Sequence, residues 1–315
     1  MKASRKYSLM ALVLAGSLLF GVAPRAQEAT QPAELRLNVL VLDKKGQPVA
    51  GLRREDFQVF EWDQPQTISF FTKEDVPLSY GLVFDSSGSL RPQFPKIKEA
   101  VKLILAAARP ADEGFLVRFI SSDKIDLAHD FTTDRGALLD RVNSFNTEGG
   151  QTALIDALFY AASYLARHKS DEGGADRRRV LILISDGEDR NSQKRQEELV
   201  KLLRKSDIQI FSIGVVSELD TEGGLIRESP RVKAAALLEG LAKETGGRAF
   251  IVESVPEIEG AALELARQLH SQYVIGYNPA VKPGTGPYRK IRVKLVDAPK
   301  RDKLKVIARV GYDAP

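Results

Sequence analysis

From residue 80 to residue 269 the chain alternates short apolar runs with helical stretches, and this rhythm constrains the fold more than any other feature. The runs at residues 80–84, 115–120, 180–185, 208–215 and 249–252 are rich in β-branched and aromatic residues and almost free of charge. A strand reads as a continuous apolar run, rather than an alternation, when both faces of its sheet are covered. Between these runs, residues 96–108, 135–145, 153–168, 193–205, 232–245 and 256–269 carry apolar residues at helical spacing, as in the stripe Leu154, Leu158, Ala161, Leu165. Parallel strands need helical crossovers, so the alternation predicts an α/β, Rossmann-like fold with a mostly parallel central sheet flanked by helices. Residues 124–129 are expected to add one antiparallel edge strand.

Either side of this block the pattern is purely β. Residues 35–42, 56–61 and 67–71 read as strands, as do 273–277, 288–296 and 304–310. In the second of the later group Ile291, Val293 and Leu295 alternate with Arg292 and Lys294, the mark of a sheet with one wet face. Three strands alone are marginal in water. The two terminal segments are therefore expected to pack together as one small β module, with the α/β domain inserted between them. The implied organisation is a leader at 1–26, an N-terminal β segment at 34–76, the α/β domain at 77–271 and a C-terminal β segment at 272–315. Trp62 and the phenylalanines near it are expected in the core of the β module.

The leader follows from Lys2, Arg5 and Lys6 ahead of an uncharged apolar run at residues 9–23, which is a signal-peptide layout. The run falls short of the roughly 20 residues of a spanning helix. An exported protein, periplasmic or secreted, is expected, with a membrane attachment only through this segment if it is retained. Lys2, Arg5, Lys6 and Arg25 also account for the whole formal charge of +4. What remains is balanced and interspersed, and Arg177, Arg178 and Arg179 stand beside Asp171, Glu172 and Asp176, so nothing points to nucleic acid. With no cysteine in the chain, disulfides, thiol catalysis and cysteine-zinc sites are excluded.

Three loops carry the chemistry. Asp85-Ser86-Ser87-Gly88-Ser89 follows the first apolar run directly, Gly149-Gly150-Gln151-Thr152 precedes a helix, and Ser185-Asp186-Gly187 follows another apolar run. Carboxylates and hydroxyls on loops at the C-terminal ends of parallel strands stand where open α/β sheets place their ligands. An oxygen-only set suits a hard cation, Mg2+ or Ca2+. The plainer reading of each is a turn or helix-capping residue, and Thr152 in particular is either an N-cap or a hydroxyl ligand.

The order Asp-x-Ser-x-Ser, then Thr, then Asp-Gly resembles the metal-ion-dependent adhesion site of von Willebrand factor A-type (VWA) domains, over roughly residues 77–271. The flanks GLRREDFQVFEWDQPQTISFF and QYVIGYNP to VGYDAP look like the bacterial subgroup called VWFA-related. The resemblance implies a metal site at Asp85, Ser87, Ser89, Thr152 and Asp186, with the two serines and the threonine as direct ligands and the aspartates acting mainly through water. It implies Mg2+, replaceable by Mn2+ or Ca2+, and a protein partner that offers an Asp or Glu carboxylate to the metal. Such a site needs no general base, and the chain is expected to be a binding module rather than an enzyme.

Two alternatives stand beside this reading: a hydrolase using the Ser/Asp loop, and a structural scaffold whose metal site stays empty. Against a hydrolase, there is no Gly-x-Ser-x-Gly elbow, and His129, His168 and His270 sit in an edge strand or at helix ends. An Asp-x-Asp phosphatase pattern and both glycine-rich nucleotide signatures are also missing. Glu188 and Asp189 either tune the field of the site or are solvated or capping acids, Glu148 is open in the same way, and Phe94 is either core or rim of the binding face.

Overall fold

The computed structural model describes residues 34–73, 76–169, 177–222, 228–279, 288–296 and 303–314. The expected leader at 1–26 lies outside the described residues. The chain opens with β1 (Leu35–Leu42), β2 (Phe57–Glu61), β3 (Gln64–Gln66) and β4 (Ile68–Thr72). It continues with β5 (Leu78–Asp85), α1 (Phe94–Ala107), β6 (Glu113–Ser121), β7 (Lys124–Thr132), α2 (Arg135–Asn143), α3 (Leu154–Arg167), β8 (Arg178–Ser185), α4 (Gln196–Ser206), β9 (Ile208–Val215), α5 (Pro230–Thr245), β10 (Ala249–Val252) and α6 (Glu257–Leu269). It ends on β11 (Gln272–Tyr277), β12 (Tyr288–Leu295), β13 (Lys305–Ile307) and β14 (Gly311–Asp313).

The central sheet has the order β10-β9-β8-β5-β6-β7, with every pair parallel except β6 and β7. Strand β5 is buried at all eight positions, which explains its unbroken apolar run. On one face Leu82 and Phe84 pack with Ile97, Ile104 and Leu265 from α1 and α6. On the other face Val83 packs with Leu154, Leu158, Leu199 and Leu238 from α3, α4 and α5. The α3 stripe is fully buried there, each leucine contributing about 2 kcal/mol of transfer free energy. Residue 81 faces this second layer and is glycine because a Cβ would stand 2.3 Å from the Phe115 ring.

The terminal segments complete each other as two four-stranded sheets, β13-β1-β11-β4 and β14-β12-β2-β3. Strand β1 is sandwiched between β11 and β13, and β12 between β2 and β14, so neither terminal segment pairs only with itself. Leu37, Val39, Val59, Ile275 and Ile291 fill the space between the sheets. Among the described residues no helix is long and apolar enough to cross a membrane.

Four details depart from the sequence reading. The edge strand β7 runs on to Thr132, its pairing with β6 interrupted by bulges. Helix α4 starts at Gln196, because the Gln193 and Lys194 amides turn aside to the Asp156 carboxylate. The run 304–310 is broken: β13 pairs with β1 and β14 with β12, so the chain changes sheets between them, crossing against Gly246. Finally, Trp62 is not core. It forms with Asp63 the two-residue turn between β2 and β3 and is 46% exposed.

Candidate metal centre

Strands β5 and β8 lie side by side at the point where the connections diverge. From β5 the chain passes through α1 to β6 on one side, and from β8 through α4 to β9 on the other. Helices α1 and α4 pack on opposite faces of the sheet. A crevice opens at such a switch point, outside the carboxyl ends of the strands. Phe84 pairs with Ile184, so the loops led by Asp85 and Asp186 leave from adjoining ends.

The two loops are hydrogen-bonded into one cluster of oxygens. Asp85 is fully buried, and its Oδ1 accepts from the Ser87 amide at 2.8 Å while Oδ2 accepts from the Ser185 hydroxyl at 2.6 Å. The Ser87 and Ser89 hydroxyls lie 3.0 Å apart. Ser89 in turn donates to Asp186 Oδ2 at 2.6 Å, and Asp186 Oδ1 accepts from the Glu188 amide at 3.0 Å. Gly187 lets the loop turn here, with φ of 81° and a missing Cβ that would press on Leu238 and Ala234.

Thr152 belongs to the third loop, which is tied to the other two through its backbone. The Glu148 amide donates to Ser86 O at 2.9 Å, and the Arg190 and Asn191 amides donate to Thr152 O at 2.8 and 3.2 Å. Thr152 is not an N-cap: Ala153 holds that position, and the first amides of α3 are satisfied by Asp189 and Ser192. Its side chain is buried, yet among the described residues no hydrogen bond joins its hydroxyl to the other four candidates. Ser185, which orients Asp85, lies outside the motif that singles out the other five, although its place beside Asp186 is visible in the sequence.

Burial pushes the Asp85 carboxyl up to about 7, and the Asp186 carboxylate adds to the rise against the hydrogen bonds from Ser185 and Ser87. Two carboxylates in so dry a place call for a compensating positive charge. The two serine hydroxyls and two carboxylates joined here are oxygens of the kind hard divalent cations take. Among the described residues no three His, Cys, Asp or Glu side chains gather as a metal site, so a cation held here would depend on the hydroxyls.

The remaining acids have structural work. Glu148 bonds Arg118 at 2.5 Å and Lys124 at 3.1 Å, which holds its carboxyl below the usual range, and Glu188 pairs with Arg190. Phe94 is buried edge-on against Phe84 at 5.5 Å. Beyond Gly187 the surface opens into a cleft of about 710 Å³, lined by Glu188, Arg190, Asp220, Glu228 and Lys233 among others. The histidines stand elsewhere: His168 bonds Glu113 at the opposite end of β6, His270 lies 3.6 Å from Asp112 ahead of that strand, and His129 sits on edge strand β7.

Comparison with known families places the von Willebrand factor type A domain on residues 81–264, more than half of the chain. Among solved structures the fold resembles BatB from Bacteroides thetaiotaomicron, at 18% identity and a TM-score of 0.46, covering 62% of this chain and all of that one. It also resembles a von Willebrand factor type A protein from Catenulispora acidiphila, at 13% identity and a TM-score of 0.48, covering 90% and 75%. A third similar structure is proximal thread matrix protein 1 from the mussel byssus with a zinc-occupied MIDAS motif, at 19% identity and a TM-score of 0.47, covering 68% and 50%. Comparison with curated proteins gave no match.

Proposed function

The chain belongs to the von Willebrand factor type A domain family, commonly an adhesion or interaction module, and from that membership we propose that it is an exported protein which grips a protein partner through a divalent cation. Asp85, Ser87, Ser89, Thr152 and Asp186 would hold the ion, Mg2+ by preference with Mn2+ or Ca2+ as substitutes. A bound cation supplies a positive centre, only partly quenched by neutral hydroxyls, that takes a carboxylate oxygen from the partner. The observation that carries this reading is the bonded series Ser87, Ser89, Asp186, with buried Asp85 beside it, at the switch point of the sheet. Asp85 and Asp186 provide the negative field, and the serines and Thr152 provide neutral oxygens around it. The hydrogen bonds from Ser185 to Asp85 and from the Glu188 amide to Asp186 fix both carboxylates in direction.

A hydrolytic role finds less support. His168 and His270 lie toward the starting ends of the strands, and His129 is directed to the backbone of its neighbour, Asp130, on β7. Neither Ser87 nor Ser89 therefore has a histidine base of the kind that activates a serine. To test the proposal, the protein is immobilised and exported proteins of its own cell are passed over it in Mg2+ and then in a chelator. Capture that needs Mg2+ and is lost in Asp85→Ala is the expected result. Capture indifferent to both would overturn the reading, as would turnover of a substrate by the wild type.

A further inference from the structure

The β sandwich carries a second surface with its own chemistry. On β12, Ile291 packs into the core, whereas Lys290, Arg292 and Lys294 are exposed on the outer face, followed by exposed Val296. Alternate residues of a strand stand about 6.8 Å apart, so the three cations form a row roughly 14 Å long. On the neighbouring strand Phe60 pairs with Arg292, and its ring takes the Arg292 guanidinium at 5.2 Å and the Lys294 ammonium at 5.5 Å. Asp63 pairs with Arg292 and offsets one of the three charges.

At the head of this row stands Trp62, the single tryptophan of the chain, whose amide donates to Lys290 O at 3.0 Å. Trp62 and Asp63 both adopt left-handed backbone, with φ of 49° and 59°. A two-residue hairpin turn of this kind ordinarily takes Asn-Gly, and a bulky residue there costs on the order of 1 kcal/mol or more. Packing does not offset that cost, since the indole remains 46% exposed.

The start of β1 lies at the same end. Tyr277 pairs with Leu35, and its hydroxyl donates at 2.9 Å to Glu61, the residue before Trp62. Arg36 over the Phe70 ring at 4.6 Å repeats the basic-aromatic pairing on the other sheet.

We propose that this end of the sandwich docks on an anionic phospholipid bilayer, with the Trp62 indole entering the headgroup layer and Lys290, Arg292 and Lys294 meeting lipid phosphates. An amphipathic ring gains from a membrane interface, whereas a soluble polyanion would be served by the cations alone. The proposal is independent of the metal site.

Because Trp62 is the sole tryptophan, its fluorescence reports the contact directly. The full chain is mixed with phosphatidylcholine vesicles, with or without phosphatidylglycerol, whose acyl chains carry bromine as a quencher. A blue shift and quenching are expected only with phosphatidylglycerol, reversed by high salt. Each surface cation contributes about fivefold, so combining Lys290→Gln, Arg292→Gln and Lys294→Gln should weaken the partitioning roughly 100-fold without altering the melt. No shift on anionic vesicles, an equal shift on neutral ones, or an unchanged triple variant would overturn the proposal. So would an equal shift with polyphosphate or duplex DNA, which would make the occupant a soluble polyanion.

Discussion

The Ser89 hydroxyl reaches Asp186 at 2.6 Å, joining two loops that are 97 residues apart in the chain. Ser89 is itself exposed, so its removal disturbs little packing. Ser89→Ala should therefore lower the melting temperature by no more than about 5 °C, the cost of one hydrogen bond to a charged group. Loss of one neutral ligand should weaken Mg2+ or Mn2+ binding about tenfold, comparable to one hydrogen bond to a charged group. Titration calorimetry and a thermal melt on the same sample check both halves.

Asp85 gives a pH dependence whose sign follows from its raised pKa. An unfolded Asp titrates near 3.9, whereas burial and Asp186 hold the folded group up to about 7. Between those values the folded state binds more protons than the unfolded, so the slope of unfolding free energy with pH is negative. In chelator, this contribution to stability is present at about pH 4 and is lost as pH rises toward 7. Asp85→Asn keeps the shape without the charge. It should flatten that decline and melt at least about 3 °C above metal-free wild type at neutral pH, as 1 kcal/mol would produce. Parallel melting curves for the two proteins from pH 4 to pH 8 would contradict this.

Within the sandwich, Arg289 of β12 bonds Glu61 of β2 at 2.6 Å, both buried, and Tyr277 of β11 donates to the same carboxylate. Removing one partner of such a pair leaves a charge in the core, at about 3–5 kcal/mol. Arg289→Met should lower the melting temperature by roughly 10 °C and speed amide exchange in β2 as well as β12. Metal affinity should stay as in wild type. Exchange confined to β12 would show that the terminal segments do not depend on each other.

These relationships separate what local pattern encodes from what it does not. Strands β5, β8 and β9 are legible because β5 and β9 are buried at every position and β8 at every position but Arg179, and a short unbroken apolar run bounded by turn residues suits little except a strand covered on both faces. Strand β3, only Gln64–Gln66, has no apolar signal and exists because the Trp62-Asp63 turn folds it onto β2. Trp62 departs from its expected place in the core for a related reason: an aromatic residue in a strand-rich stretch reads as core until the turn around it is known. The candidate residues Asp85, Ser87, Ser89, Thr152 and Asp186 stand out by type and order. The adjacency of β5 and β8, which brings Ser89 to Asp186, depends on strand order, and no local spacing specifies it. Thr152 is ambiguous between cap and ligand in the sequence because the groups that satisfy the first turn of α3, Asp189 and Ser192, come from a loop far along the chain.

The central claim is that this oxygen cluster binds a divalent cation, with Asp85 supplying an essential part of the field. Calorimetric titration of Mg2+, and of Mn2+ as a substitute, into wild type and Asp85→Ala tests it most directly, with a thermal melt of each protein beside it. The account predicts saturable binding of modest affinity by the wild type and no measurable binding by Asp85→Ala, with both proteins folded. Equal metal affinity in two folded proteins would contradict it.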